Sequence, residues 1–357
     1  MSMIDRNSFE PLYLQIRRDI EEQILNGTIR IGDKLMSETE MLRYYNVGRV
    51  TVRAALAELV SSGCLKKEQG LGTFCVAMPK REERKRIDVM LDMRDTYFVP
   101  YILAGISRVL DARNCNLILH DTLDSMEDIA NTILKIVEQG TDGILLQPFR
   151  GMDTVSDECR AAIERCQEMQ IPMVVLDGKF RGIEMPCVMN DDDMGGFMAT
   201  RYAIKMGHKR ILGLFREYYK DSSFRRAGYL QALEEANLDP YVMDADSSSG
   251  EAVVQYIRDH AITAIVCYND ELAVEYYHHF DRLGLKVAED ISVIGYDNTE
   301  LSLTSLPRIT TITHPKDRMG EKAAEYLLEI IDGHTLKQPR YMFRPELVVR
   351  DSVKCLV

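Results

Sequence analysis

Apolar residues in the first sixty positions recur every third or fourth place, the spacing of helices that bury one stripe. Leu12, Ile16, Ile20 and Ile24 predict a helix over 12–25, ended by Asn26-Gly27. Val52, Leu56 and Leu59 predict another, with Arg49, Thr51 and Arg53 projecting from its other faces. Ahead of it, Ser37 stands three residues before Glu40, the signature of a capping box at the start of a short helix. The segment YNVG leaves room only for a turn between the two helices, which together read as a helix-turn-helix. After Ser62-Gly63, residues 65–68 can pair with 72–76 around a tip at 70–72, a two-stranded wing beside the second helix. Such a module lays its second helix in the major groove of double-stranded DNA.

From Ile87 the period changes. Short runs that are apolar on both faces (IDVML, NLILH, DGILL, PMVVL, RILGLF, AIVCY, ISVIGY) alternate with amphipathic stretches such as YILAGISRVLDAR, ECRAAIERCQEM and RRAGYLQALEEA. Strands buried on both faces and separated by single helices predict a parallel sheet covered on both sides. Seven main strands are too many for one small nucleotide-binding half, so the expected architecture is two doubly wound α/β subdomains in tandem. Ligands of open parallel sheets bind outside the carboxyl ends of the strands. The residues found there are Asp92, His120-Asp121, Gln147, Asp177, Asn269-Asp270 and Asp297-Asn298. Carboxylates and amides repeated at one topological place suit adjacent hydroxyls, the chemistry of a sugar or another polyol. Each residue taken singly also fits a turn or a helix cap. Asp191 to Asp193 read as a charge cluster at a helix N-terminus rather than a metal site.

Composition narrows the partners. The chain of 357 residues is 46% hydrophobic and 28% charged, ordinary values for a globular protein of two or three units. Its net charge is −12, yet residues 1–78 balance ten basic against ten acidic side chains and 79–86 (PKREERKR) carry +3, leaving −15 on the remainder. Attraction to phosphate is thereby confined to the front of the chain. The run 79–86 reads as a solvated linker. Eight scattered cysteines without a C-x-x-C pair imply reduced thiols. There is no apolar run of about 18 residues and no signal-peptide pattern, so the expected location is the cytoplasm, with no membrane partner.

Residues 11–76 resemble the GntR-family DNA-binding domain through PLYLQIRRDIEEQILNG, IGDKLMSETEML, GRVTVRAALAELVSSG and QGLGTF. The resemblance implies DNA contacts from Ser37, Glu38, Thr39, Gly48, Arg49, Thr51, Arg53, Gln69 and Gly70. Four positions depart from the family pattern: Met36 for Pro, Thr39 for Arg, Gly48 for Ser or Thr, and Leu71 for a basic wing residue. Ile87 onward resembles the LacI-family effector domain, related to periplasmic sugar-binding proteins. The motifs are NDDDMGGFMATRYAIKMGHKRI, SSFRRAGYLQAL, YNDELAVE, DISVIGYDNTE and PRITTITHP. That resemblance implies effector contacts from Phe98, Gln147, Asp177, Arg225, Asn269 and Asp297, with Tyr97 beside them. The pairing of the two domains is similar to the arabinose-responsive repressors. It implies a winged-helix domain over 1–78, a linker over 79–86, and a sugar-binding and dimerisation domain over 87–357. The last is divided into 87–188 with 312–338 and 189–311 with 339–357.

The expected protein is a sugar-responsive repressor that grips a pseudo-palindromic operator as a homodimer, with L-arabinose as the first effector to test, and with no cofactor or metal. The competing readings are a sugar-responsive activator, a sugar-binding transport receptor, and an enzyme on the same α/β fold. Gly70-Leu71-Gly72 lacks the third glycine of a dinucleotide fingerprint, and no Walker A sequence, G-x-S-x-G or H-E-x-x-H occurs.

Overall fold

The computed structural model describes residues 4, 11–79, 84–94, 97–121, 125–148, 155–180, 182–216 and 220–357. The chain forms two compact units, Met1–Arg84 and Lys85–Val357.

In the first unit, α1 (Leu12–Leu25), α2 (Glu38–Tyr45) and α3 (Arg49–Ser61) precede the wing strands β1 (Leu65–Glu68) and β2 (Gly72–Cys75). The periodic residues account for the packing: Ile16, Ile20, Ile24, Val52, Leu56 and Leu59 are all buried in one core. The capping box forms, since Ser37 Oγ accepts from the Glu40 backbone at 3.3 Å and the Glu40 carboxylate accepts from the Ser37 N–H at 2.7 Å. Asn46 closes α2 in the left-handed region at φ 52°, which Asn tolerates better than other non-glycine residues. β1 and β2 pair antiparallel from Leu65↔Cys75 to Glu68↔Gly72. Sequence reasoning misses a third rung: Lys34 bridges Phe74, and the Leu35 N–H donates to the Thr73 carbonyl.

The second unit begins with β3 (Arg86–Leu91), α4 (Val99–Ala112), β4 (Asn116–Asp121), α5 (Met126–Gln139), β5 (Gly143–Leu146), α6 (Asp157–Glu168), β6 (Met173–Leu176) and β7 (Cys187–Asn190). It continues through α7 (Asp192–Lys205), β8 (Ile211–Phe215), α8 (Lys220–Glu235), β9 (Tyr241–Asp244), α9 (Gly250–Asp259), β10 (Ala264–Cys267), α10 (Asp270–Arg282) and β11 (Ser292–Ile294). The final elements are α11 (Glu300–Thr304), β12 (Thr311–Ile312), α12 (Lys316–Ile331), β13 (Arg340–Phe343) and β14 (Leu347–Val348). One parallel sheet has the order β13-β7-β6-β5-β3-β4 and the other β11-β10-β8-β9, with β12 and β14 forming a small antiparallel pair. The tandem doubly wound architecture is therefore present, and all seven expected strands are found. β7, β9 and β13 were not foreseen, because CVMN, YVMD and RYMF are too short and too mixed to stand out.

Two expected boundaries move. On sequence alone, Arg340–Phe343 groups with the second subdomain, but β13 pairs in parallel with β7 in the first sheet, from Arg340↔Cys187 to Phe343↔Asn190. From Leu347 on, the tail joins the second sheet's side: Leu347 pairs with Ile312, and the Val293 N–H donates to the Ser352 carbonyl. The linker was expected to run to Arg86. Lys85 is already anchored by Asp332 at 2.7 Å, and Arg86 opens β3, clasping the buried Asp88 at 2.8 Å. Residues 80–83 of that linker lie outside the described residues.

The chain crosses between the two sheets three times, at residues 190–192, 313–316 and 343–347. The helix that follows the first crossing, α7, meets α8 at backbone contact. A Cβ on Gly228 of α8 would stand 1.9 Å from the Asp193 carbonyl oxygen, and one on Gly196 of α7 would stand 2.0 Å from that of Arg225. Two missing side chains thus let α7 and α8 cross closely enough to bring Asp192 to Arg225. Gly228→Ala forces backbone apart in a packed crossing, so a loss of about 1–3 kcal/mol is expected. The measurement is the urea midpoint of the unit's near-ultraviolet signal, and an unchanged midpoint would refute the packing argument.

Candidate functional site

The outward face of α3 begins at its first turn. Arg49 and Arg53 are exposed, Thr51 is partly buried, and Gly48 caps the helix in an extended conformation without a side chain in the way. Ser37 and Thr39 are exposed at the start of α2, and Gln69 and Gly70 at the wing tip, where Gly70 has φ +79°. Glu38 behaves differently from its neighbours. Its carboxylate accepts from Lys67 of β1 and from Arg53 of α3, each at 2.9 Å. These two hydrogen bonds hold its pKa below the usual carboxylate value. Glu38 therefore ties wing to helix and orients two cations.

Inside the second unit, a hollow of about 200 Å³ opens at the carboxyl ends of both sheets. The structure brings all seven sequence-predicted effector residues to its wall: Tyr97, Phe98, Gln147, Asp177, Arg225, Asn269 and Asp297. Not every polar residue after a strand arrives there. Asp270 is fully buried, accepting from the Thr299 backbone N–H at 2.8 Å and from Thr311 Oγ1 at 2.7 Å, and burial pushes its pKa up to about 7. His120 turns to Asp88 at 2.7 Å, Asp121 accepts from the Met93 N–H, and Asn298 accepts from Arg350. Asn269 does both jobs: it lines the hollow and caps α10 by accepting from the Leu272 N–H at 2.9 Å.

Arg225 is the centre of the site. Its side chain is 3% exposed; Nε donates to Asp192 at 3.2 Å, Nη1 to the Tyr268 carbonyl at 2.7 Å and Nη2 to Asp297 at 3.4 Å. Its guanidinium plane also lies 3.8 Å from the ring centroid of Tyr296 and 4.8 Å from that of Tyr268. Asp297 additionally faces His314 at 3.1 Å and Lys316 at 3.6 Å. Burial alone would raise its pKa, but the Lys316 and Arg225 charges outweigh that and hold it far below the usual carboxylate range. Asp177 and Asp297 both occupy the positive-φ region, at 56° and 94°. Non-glycine residues held there cost of order 1–3 kcal/mol, and such strain clusters at binding sites.

Residues 12–75 match the family described as bacterial regulatory proteins, gntR family, and residues 200–353 match the periplasmic binding protein-like domain. An arabinose metabolism transcriptional repressor from Geobacillus stearothermophilus is 30% identical over 359 residues, covering 96% of this chain and 98% of its own. The chain belongs to this repressor family. A LacI-family regulator from Enterococcus faecium solved with bound ribose is similar at TM-score 0.64 and 25% identity, covering 76% of this chain and all of its own. The lac repressor dimer bound to operator and an anti-inducer matches at TM-score 0.66 and 20% identity, over 77% of this chain and 96% of its own.

Several residues of this family member were not foreseen. Asn190, Asp192, Tyr268, His314 and Lys316 all line the hollow. Asp191 does cap α7, accepting from the Met194 N–H at 3.1 Å, as its place in an acidic cluster suggests. Its neighbour Asp192 is buried and serves Arg225 and the Tyr296 hydroxyl at 2.8 Å instead. Asn190 Nδ2 donates to Asp192 and to Tyr296. On the exposed face of α3, Val50 is 83% exposed beside Arg49. The stripe Val52, Leu56 and Leu59 already puts residue 50 on the opposite face, a signal that was available in the sequence. Among the described residues, no group of three or more His, Cys, Asp or Glu is placed to hold a metal ion, and no helix is long and apolar enough to cross a membrane.

Proposed function

We propose that this protein is a cytoplasmic transcriptional repressor that grips a pseudo-palindromic operator as a homodimer and loses DNA affinity when a small sugar occupies its cleft. The observation that carries this reading is the convergence of Arg225, Asp177, Asp297, Gln147 and Asn269 on one hollow. A guanidinium fork donates to ring and hydroxyl oxygens, carboxylates accept hydroxyl protons, and amides do either. Phe98 and Tyr97 add an apolar cover for the C–H face of a sugar ring. At about 200 Å³ the hollow lies below the roughly 300–1,000 Å³ of drug-sized ligand pockets, which favours a monosaccharide over an oligosaccharide. L-arabinose is the first candidate, on the arabinose-metabolism role of the Geobacillus relative and on the pentose held by the Enterococcus one.

In this reading Arg49, Thr51 and Arg53 enter the major groove, with Ser37, Glu38, Thr39 and Gly48 at its edge and Gln69 and Gly70 on the adjoining backbone or minor groove. Sugar contacts made from both sheets favour the closed cleft. DNA release follows only if that closed state binds sugar more tightly and operator more weakly than the open one. A gel shift with an operator selected from random DNA, run with and without L-arabinose, ribose, xylose and glucose, tests the coupling. At least tenfold weaker DNA binding with one sugar is expected. Affinity unmoved by all four would remove the support for a sugar-released repressor.

A further inference from the structure

We propose that His314 is the residue that makes the cleft able to close on its effector: as an imidazolium it holds the carboxylates of Asp177 and Asp297, one from each sheet, close enough to share a single sugar. The inference rests on the effector reading above and adds to it a residue and a charge state. Asp177 follows β6 of the six-stranded sheet, and Asp297 follows β11 of the four-stranded one. His314 lies on the second crossing, between β12 and α12, and is 7% exposed. Its Nδ1 stands 3.1 Å from Asp297 Oδ1 and its Nε2 stands 3.4 Å from Asp177 Oδ1. The Phe98 ring packs on it with centroids 5.9 Å apart.

Both ring nitrogens thus face acceptors. A neutral imidazole has one N–H, so it would satisfy one carboxylate and present a lone pair to the other. The imidazolium donates to Asp297 through Nδ1 and faces Asp177 with its Nε2–H at 3.4 Å, a close ion pair rather than an aligned hydrogen bond. Without it, closing the cleft would bring the two carboxylates together with less positive charge between them, in a water-poor interior where like charges repel. Lys316 and Arg225 also offset part of the charge on Asp297 and, at longer range, on Asp177. Lys316 lies 3.6 Å from Asp297 and over the Tyr97 ring at 4.8 Å, and Arg225 divides its donors among Asp297, Asp192 and the Tyr268 carbonyl. His314 spans from one sheet's carboxylate to the other's at 3.1 and 3.4 Å.

Burial and the Lys316 ammonium both push the His314 pKa down, and the adjacent carboxylates of Asp177 and Asp297 outweigh them, taking it up to about 9. The proton is therefore in place at neutral pH. Its contribution to sugar affinity is fully present below that value and is lost as the pH rises through about 9.

The test is isothermal titration of the full-length protein with L-arabinose, ribose, xylose and glucose between pH 6.5 and 10. For the sugar that binds, wild-type affinity is expected to stay level to about pH 8 and to weaken at least tenfold by pH 10. His314→Gln, whose amide hydrogen-bonds but carries no positive charge, is expected to bind about tenfold more weakly at pH 7 and to show no such alkaline loss. A thermal melt of the variant confirms that it is folded. If it is not, imidazole nitrogen shifts of ¹⁵N-histidine-labelled wild type supply the answer, with both His314 nitrogens expected protonated at pH 7. A wild-type profile that is flat, a His314→Gln profile that keeps the alkaline loss, or a neutral ring at pH 7 would overturn the role of His314 and leave the effector reading standing. Binding of no sugar at any pH would overturn the effector reading, and this inference with it.

Discussion

Arg225→Ala is expected to abolish sugar binding and to destabilise the second unit in the same stroke. The guanidinium is 2% exposed as a residue and touches Asp192, Asp297, the Tyr268 carbonyl and two aromatic faces. Truncation leaves two buried carboxylates with their strongest shared partner gone. Breaking a buried pair from one side costs about 3–5 kcal/mol, because the surviving charge has no water to replace what it lost. The hydrogen bonds a sugar would receive from the fork vanish as well, so affinity should fall by about a hundredfold or more, equivalent to roughly 3 kcal/mol. Titration calorimetry and a urea melt measure the two effects separately. Arg225→Lys keeps one positive charge but not the fork, and should recover part of the stability with little of the binding. A variant that melts early yet binds sugar normally would show that Arg225 is a structural strut only.

Arg49→Ala is expected to weaken operator binding by about 1–3 kcal/mol for each head whose arginine reads a base. Two heads on one operator would double the effect, to about 2–6 kcal/mol, with no change in sugar affinity. Arg49 stands exposed at the first position of α3, beside the side-chain-free cap Gly48, and the described contacts of Arg53 show why the two arginines differ. Arg53 is already engaged by Glu38 at 2.9 Å. Loss of Arg49 should therefore relax specificity at one base position. If the loss is instead uniform across sequences and the salt dependence of binding becomes shallower, Arg49 is a phosphate contact. Fluorescence anisotropy on operator and scrambled DNA at several salt concentrations distinguishes the outcomes.

The head was readable almost throughout because its signals are local. A capping box spans four residues, the helical stripe from Val52 to Leu59 eight, and a glycine turn two or three, so Ser37 with Glu40, that stripe, and the tip at Gly70 announce themselves without tertiary information. The rung from Lys34 to Phe74 escaped because it joins residues forty apart that carry no pattern of their own. In the second unit, Asp177 and Asp297 were found because a polar residue directly after an apolar strand has a known place in a parallel sheet. Asp270 follows a strand in the same way and turned inward instead. Its direction was set by Thr299 and Thr311, which arrive from other parts of the chain.

Residue order alone determined two compact units, a wing beside an exposed helical face, alternating strands and helices, and a row of carboxylates and amides at strand ends. Periodicity and turn chemistry act over a few residues, so they survive in the linear text. Only the tertiary structure decided that β13 belongs with β7, that Asp192 serves Arg225 rather than simply opening a helix, and that His314 and Lys316 stand on the cleft wall. Those assignments depend on where three crossings between two sheets bring distant backbone together, and on glycines at 196 and 228 that let two helices touch. Contacts of that kind are set by packing across the whole unit, which no local spacing encodes.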